Sequence, residues 1–262
     1  MTALDFVSPL FVPADRPERF EKAAASGADA IILDLEDAVA PKRKDAARAA
    51  LRADFTPLPV FVRVNGIGTP WHEADVAAAA NLSVAGIILP KSEWGVRLDM
   101  LLEECVVPVL ALIETAHGLA EARRIASLDG VARLVFGSID FCADLGAAHT
   151  REALLAARSE LVLASRLAGL LAPIDGVTTA IDDAALVSAD ARHALDLGFG
   201  GKLAIHPKQI EPILKGFRPD AAEIEWARKV LASGDGAAAV DGAMVDEPVR
   251  VRARAVLKRA GH

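Results

Sequence analysis

Eight short apolar runs, four to seven residues long, recur along the chain with amphipathic helical segments between them. They are Ser8–Val12, Ala30–Leu33, Val60–Val64, Gly86–Leu89, Val107–Ile113, Val131–Phe136, Ala172–Val177 and Gly201–Ile205. A strand that is apolar at every position is buried on both faces, which is the habit of parallel sheets covered by helices. The intervening segments predict helices over Pro17–Ser26, Lys42–Arg52, about Pro70–Asn81, Glu93–Glu104, Gly118–Ala126, Arg151–Leu170 and Asp182–Leu197. Eight such units predict an α/β fold, a closed (β/α)₈ TIM barrel, which needs roughly 250 residues. An open doubly wound sheet is the alternative. No GxGxxG opens a helix after the first strand, so its dinucleotide-binding form has little support.

The barrel is expected over residues 1–216, and a helical C-terminal extension over 217–262. Helices are expected at Pro207–Gly216, Ala221–Ala232 and Val249–Arg259, with a small polar linker at Ser233–Gly236 and a turn-rich stretch at Asp241–Pro248. Only 5% of residues are aromatic and none is Tyr, so Ala, Val, Leu and Ile must fill the core. A net charge of −7 argues against a nucleic-acid surface, which needs clustered positive charge. No run approaches the roughly 18 apolar residues of a membrane span, and the N-terminus shows no signal-peptide pattern, so a cytoplasmic location is expected. Cys105 and Cys142 fit no metal or redox spacing and read as reduced core residues.

Polar residues cluster just past the C-terminal ends of the proposed strands: Asp34-Leu35-Glu36-Asp37, Arg63 with Asn65, Lys91, Glu114-Thr115, Gly137-Ser138-Ile139-Asp140, Asp175 and His206. A barrel gathers those ends on the face where barrel enzymes place their active sites. Glu114 and Asp140, on adjacent strands, are the expected metal ligands. Two carboxylate oxygens completed by water and substrate suit Mg²⁺. Taken singly, each reads equally well as a helix cap or a partner of Arg63. Arg63 lies inside an apolar run and must meet an anion. A substrate carboxylate or a developing enolate would serve, and so would Asp34 or Glu36. Asp34, Glu36, Asp37 and Lys91 are expected around the metal, holding its waters or Arg63 rather than binding it directly. The backbone N–H groups of Gly137, Ser138 and Ile139 are expected to hold a carboxylate. His206 reads as a turn residue, and His72, His117 and His149 as loop or helix-surface residues.

Leu10-Phe11-Val12-Pro13, Asp34-Leu35-Glu36-Asp37-Ala38-Val39, Arg63-Val64-Asn65, Leu89-Pro90-Lys91, Ile113-Glu114-Thr115-Ala116, Gly137-Ser138-Ile139-Asp140 and Ile205-His206-Pro207 stand in the order found in one known family. The chain resembles the citrate lyase β-subunit-like proteins (citryl-, malyl- and citramalyl-CoA lyases) of the HpcH/HpaI aldolase superfamily. The resemblance implies a Mg²⁺-dependent lyase that splits a 3-hydroxyacyl-CoA into an acyl-CoA and an α-keto acid. Glu114 and Asp140 would be the metal ligands and Arg63 the catalytic arginine. Asp246, in Asp241-Gly242-Ala243-Met244-Val245-Asp246, would be the acid/base delivered from a neighbouring subunit, making the protein a homo-oligomer, with trimers in relatives. Family members often carry Arg before the first-strand Ser, where this chain has Val7. Arg16, Arg19 and Lys22 are the expected substitute contacts for CoA phosphates. The competing readings are an aldolase on free keto acids, a malyl-CoA-type thioesterase and a non-catalytic CoA-ester-binding subunit. Free-acid aldolases usually place a catalytic His where this chain has Asp34–Asp37.

Overall fold

The computed structural model describes residues 3–234 and 238–261. The chain divides into two compact units, Met1–Leu214 and Lys215–His262.

In the first unit the elements alternate. They run β1 (Pro9–Pro13), α1 (Phe20–Ala24), β2 (Ala30–Asp34), α2 (Lys44–Ala49), β3 (Val60–Arg63), α3 (His72–Ala80), β4 (Gly86–Leu89) and α4 (Val96–Glu104). Then come β5 (Val109–Ile113), α5 (Ala116–Ala120), α6 (Ala122–Ala126), β6 (Val131–Phe136), α7 (Ser138–Leu145), α8 (Arg151–Leu167), β7 (Ile174–Asp175), α9 (Ala184–Leu197), β8 (Gly201–Lys202) and α10 (Ile210–Phe217), whose last residues run past Leu214 into the second unit. All eight strands are parallel and pair in chain order. The sheet closes on itself: Phe11 N–H donates to Ala204 O and Ala204 N–H to Pro9 O, both at 2.9 Å. The fold is a TIM barrel.

The barrel interior holds Phe6, Ala30, Ile32, Phe61, Ile88, Leu110, Leu112, Val135, Ile174 and Leu203. These positions follow the two-residue period of a strand. Continued by one step toward the C-terminal ends, the same period brings Asp34, Arg63, Glu114 and Gly137 to the inward side of the barrel mouth. At the opposite end Arg133 is 2% exposed and donates to the carbonyls of Leu4, Phe6 and Ala172. Burial lowers its pKa to about 10, and Asp5 and Asp29 only partly counter this.

Three expectations need correction here. The seventh and eighth strands are shorter than expected, Ile174–Asp175 and Gly201–Lys202, and beside them Lys202 Nζ donates to Gly176 O at 2.6 Å and to Asp175 Oδ2 at 2.9 Å. Helix α7 was not anticipated. Its eight residues lie between Gly137 and Gly146, the latter ending it in the left-handed region at φ 66°. His72 is buried, not on a helix surface, and its Nδ1 lies 2.7 Å from Asn65 O. His117 is exposed on α5. Cys142 is buried and Cys105 only partly so, and both are free thiols.

The second unit contains α11 (Ala221–Ala232), β9 (Ala238–Val240), β10 (Ala243–Val245) and α12 (Glu247–Arg259). Of the expected linker Ser233–Gly236, Asp235 and Gly236 lie outside the described residues. The stretch read as turn-rich is a hairpin. Asp241 and Gly242 have φ of 50° and 80°, the pair of positive values that a two-residue type I′ turn demands. Ala227, Val230, Val245, Ala253 and Val256 form this unit's own small core. Among the described residues no helix is long and apolar enough to cross a membrane.

Candidate active site

Asp34 ends β2 opposite Arg63, which ends β3. That register makes a fork-shaped pair: Arg63 Nε donates to Asp34 Oδ1 at 2.8 Å and Nη2 to Oδ2 at 2.6 Å. Nη1 lies 2.9 Å from Glu36 Oε2 and 3.8 Å from Asp37 Oδ2. The Glu36 contact is an ion pair without hydrogen-bond alignment, since Glu36 Oε2 is a buried oxygen lacking a donor. Two of the guanidinium's five N–H groups are thus committed to Asp34. The group also lies over the Phe11 ring, 4.8 Å from its centroid. Burial alone would lower the Arg63 pKa, but Asp34, Glu36 and Asp37 outweigh it and raise it above the usual arginine range. Both protein partners considered for Arg63 are in contact with it, Asp34 through two hydrogen bonds and Glu36 through an ion pair, and Arg63 still lines the cavity beside them.

Glu114, one residue past β5, is 2% exposed. Gly137 makes room for it, because a Cβ there would stand 2.3 Å from Glu114 Oε2. Burial raises the Glu114 pKa to about 7; Lys91 opposes this and Glu36 and Asp140 reinforce it. Lys91, just past β4, donates its backbone N–H to Glu114 Oε1 at 2.9 Å. Its ammonium stands 3.0 Å from Glu36 Oε1, 3.3 Å from Asp140 Oδ2 and 3.5 Å from Glu114 Oε1.

Gly137, Ser138, Ile139 and Asp140 form the N-terminal end of α7. The first bond there runs from Phe141 N–H to Gly137 O, at 3.0 Å. Ser138, Ile139 and Asp140 therefore carry the N–H groups that a helix start leaves without internal acceptors, a favourable place for an anion. Asp34, Asp37, Arg63, Glu114 and this whole segment line one cavity of about 420 Å³ at the C-terminal mouth of the barrel. A larger groove of about 760 Å³ lies outside the barrel between α3 and α4, away from these groups.

Other expected site residues lie elsewhere. Arg16 and Arg19 in the β1–α1 connection and Lys22 on α1 are exposed, and none lines the mouth cavity. Asp175 does not line it either: it is buried between Arg158 and Lys202. His206 caps a 3₁₀ turn, as read from its Pro neighbour. Asp246 caps α12, its Oδ1 accepting from Val249 N–H at 3.3 Å. Two supports escaped the sequence reading. Lys44 Nζ holds the Asp34–Asp37 turn through bonds of 2.7 Å to Leu35 O, Glu36 O and Asn65 Oδ1. Ser138 Oγ shares a 2.9 Å hydrogen bond with His149 Nε2. A lysine on the inward side of α2 was the available signal for the first; the second crosses a loop and left none.

The sequence profile of the HpcH/HpaI aldolase/citrate lyase family matches residues 8–207. The chain belongs to that family. A citrate lyase subunit beta-like protein of Mycobacterium tuberculosis is 41% identical, the match covering 96% of this chain and 94% of that one. A (3S)-malyl-CoA thioesterase of Cereibacter sphaeroides is 36% identical, over 97% and 94% of the two chains. Among solved structures, CitE from Mycobacterium tuberculosis in complex with magnesium, acetoacetate and coenzyme A superposes with a TM-score of 0.89 at 39% identity, covering 99% of this chain and 100% of that one. An HpcH/HpaI member is an enzyme of the aldolase and citrate lyase group, and this member keeps its charged groups at the mouth of its barrel.

Proposed function

We propose that the protein is a magnesium-dependent carbon–carbon lyase that cleaves a 3-hydroxyacyl-CoA, such as citryl-, citramalyl- or malyl-CoA, into an acyl-CoA and an α-keto acid. The observation that carries this reading is the convergence of Arg63, Glu114, Asp140 and the α7 N-terminus on one cavity.

The donor set fits a magnesium ion. Among the described residues no group of three or more His, Cys, Asp or Glu side chains is arranged to hold a metal. Two carboxylates remain, Glu114 and Asp140, and Mg²⁺ commonly takes one or two carboxylates and keeps several waters. A cation already stands between them, the Lys91 ammonium. Glu36 Oε2, buried and without a donor, is an acceptor available to a water of that ion. When bound, the ion supplies positive charge that acidifies a substrate hydroxyl and polarises the carbonyl formed from it.

The protein's own groups then have these roles. The Gly137 N–H, expected among the carboxylate's donors, is instead donated to Ile113 O at 2.9 Å, and the N–H groups of Ser138, Ile139 and Asp140 hold the carboxylate of the keto-acid portion. Asp246 of a neighbouring copy, as its carboxylate, takes the hydroxyl proton, and that oxygen becomes a carbonyl as the adjacent C–C bond breaks. The electron pair of the broken bond forms a thioester enolate. Arg63, kept cationic by Asp34, stabilises the enolate charge through its uncommitted N–H groups. Asp246 of a neighbouring copy protonates the enolate carbon, and the C-terminal unit is the part that makes this contact between copies. Arg16, Arg19 and Lys22 bind the CoA phosphates.

Purified protein with Mg²⁺ and a panel of the three thioesters tests the assignment. We expect an acyl-CoA and a keto acid from at least one of them, detected by mass spectrometry. Free CoA with an intact hydroxy acid would make it a thioesterase, the reading that the Cereibacter sphaeroides relative favours. Turnover of free hydroxy-keto acids alone would make it an aldolase.

A pH prediction follows from Glu114. Its pKa is raised from 4.5 to about 7, so the metal-free protein carries a protonated Glu114 at pH 6. This group's contribution to folding is unfavourable and grows as pH rises from its ordinary value through 7. A divalent ion needs the carboxylate. Binding at pH 6 is therefore expected to release a proton that binding at pH 8 does not, and affinity is expected to rise across pH 7. Calorimetry in two buffers of different ionisation enthalpy counts the protons, and a count that does not change with pH would sink the prediction.

A further inference from the structure

We infer that Lys91 is a tethered counter-cation that a divalent ion must displace in order to bind, so that its charge sets the metal affinity of the site. The inference rests on the assignment of Glu114 and Asp140 as the metal ligands. Lys91 Nζ stands within 3.5 Å of oxygens from Glu36, Glu114 and Asp140, the space between the two ligands included. Asp34 is already neutralised by Arg63, so the other three carboxylates share the Lys91 charge and the remaining Arg63 contact. Lys91 and that one Arg63 contact among three carboxylates leave an excess of negative charge that a divalent ion can neutralise.

The backbone aims this side chain. Lys91 has φ 48°, and Asp241 is the other non-glycine residue with positive φ among those described. At Asp241 a hairpin turn requires it. At Lys91 it accompanies the bond from its N–H to Glu114 Oε1, which fixes the chain against a ligand and directs the side chain back across it. The side chain is 49% exposed, so the ammonium has open solvent into which it can swing. An ammonium and a divalent ion a few ångströms apart repel strongly at the mouth of a protein cavity. Both compete for the negative charge of Glu114 Oε1 and Asp140 Oδ2, so the ammonium weakens the hold of these oxygens on the ion.

Removing the charge while keeping the length of the side chain tests this. Mn²⁺ binding to the full chain, without substrate, is read from the electron paramagnetic resonance signal of the free ion. Lys91→Met is expected to bind Mn²⁺ about tenfold or more tighter than the unaltered protein, and Lys91→Arg to bind within about threefold of it. In thermal melts Lys91→Met is expected to unfold at lower temperature without metal and to gain more from added Mn²⁺. Lys91→Gln gives the same reading if the methionine variant does not fold. Equal or weaker Mn²⁺ binding by the neutral variants would overturn the inference, because a lysine that merely positions Glu36 and Asp140 weakens binding when lost. Glu114→Gln separates the two levels. If the unaltered protein binds no Mn²⁺, or the Glu114→Gln variant binds it equally well, the metal assignment fails and the Lys91 role with it. If binding depends on Glu114 and the neutral Lys91 variants gain nothing, the Lys91 role alone fails.

Discussion

Glu114→Ala and Asp140→Ala are each expected to lower turnover of the cleaved thioester by roughly 10²–10⁴-fold while leaving the barrel folded. The magnitude follows from the several kcal/mol of charge stabilisation that a metal provides in a cleavage of this kind, at a factor of ten for each 1.4 kcal/mol. The stability side follows from the pKa of Glu114. Burial makes its ionised form unfavourable in the metal-free protein, so its loss relieves a cost as well as removing a bond. Asp140 sits in the first turn of α7 with its side chain 38% exposed, and Lys91 is its charge partner. Far-UV circular dichroism and melting curves near those of the unaltered protein, with turnover lost, are the expected pattern. Turnover within about fivefold of the original in either variant would remove the pair from the mechanism. Glu114→Gln refines the reading, since it keeps an acceptor for Lys91 N–H and loses only the charge.

Asp175→Ala is expected to do the opposite: to cost stability heavily before any question of catalysis arises. Asp175 is 1% exposed and stands between Arg158 Nε at 2.8 Å and Lys202 Nζ at 2.9 Å, with the two cations 5% and 1% exposed. Burial would raise its pKa, but Lys202 and Arg158 outweigh burial and lower it. That lowered pKa is stability present above the ordinary aspartate value and lost as pH falls through the depressed one. Removing the carboxylate leaves two buried cations facing each other, and breaking a buried pair in this way costs roughly 3–5 kcal/mol. For a chain of this size that is a fall of roughly 10 °C in Tm. Asp175→Asn, which keeps an acceptor but no charge, is expected to lie between. A fall under about 3 °C for the alanine variant, about 1 kcal/mol on the same scale, would show that Arg158 and Lys202 find other partners.

Glu114 and Asp175 also mark the limit of what strand ends reveal. Both are acidic residues at or just past the end of an apolar strand, and that position alone does not separate them. In the barrel Glu114 continues the inward row of Leu110 and Leu112 into the mouth cavity. Asp175 directly follows the inward Ile174 and so faces the helix layer, where Arg158 on α8 meets it. One residue of register moves a strand side chain from one face to the other.

The sequence by itself determined the eight strands, their parallel arrangement and the face on which the chemistry gathers, and it favoured a closed barrel over an open sheet. Those follow from local periodicity and from the burial of both strand faces, which short apolar runs state directly. It also marked Arg63, Glu114, Asp140 and Gly137 as residues of that face. The tertiary structure alone decided which polar strand ends point inward, that Arg63 is forked onto Asp34, that Lys91 stands among three carboxylates, and that Gly137–Asp140 opens a helix instead of forming a loop. Each of these depends on register between neighbouring strands or on a contact between residues far apart in the chain, and local periodicity carries neither.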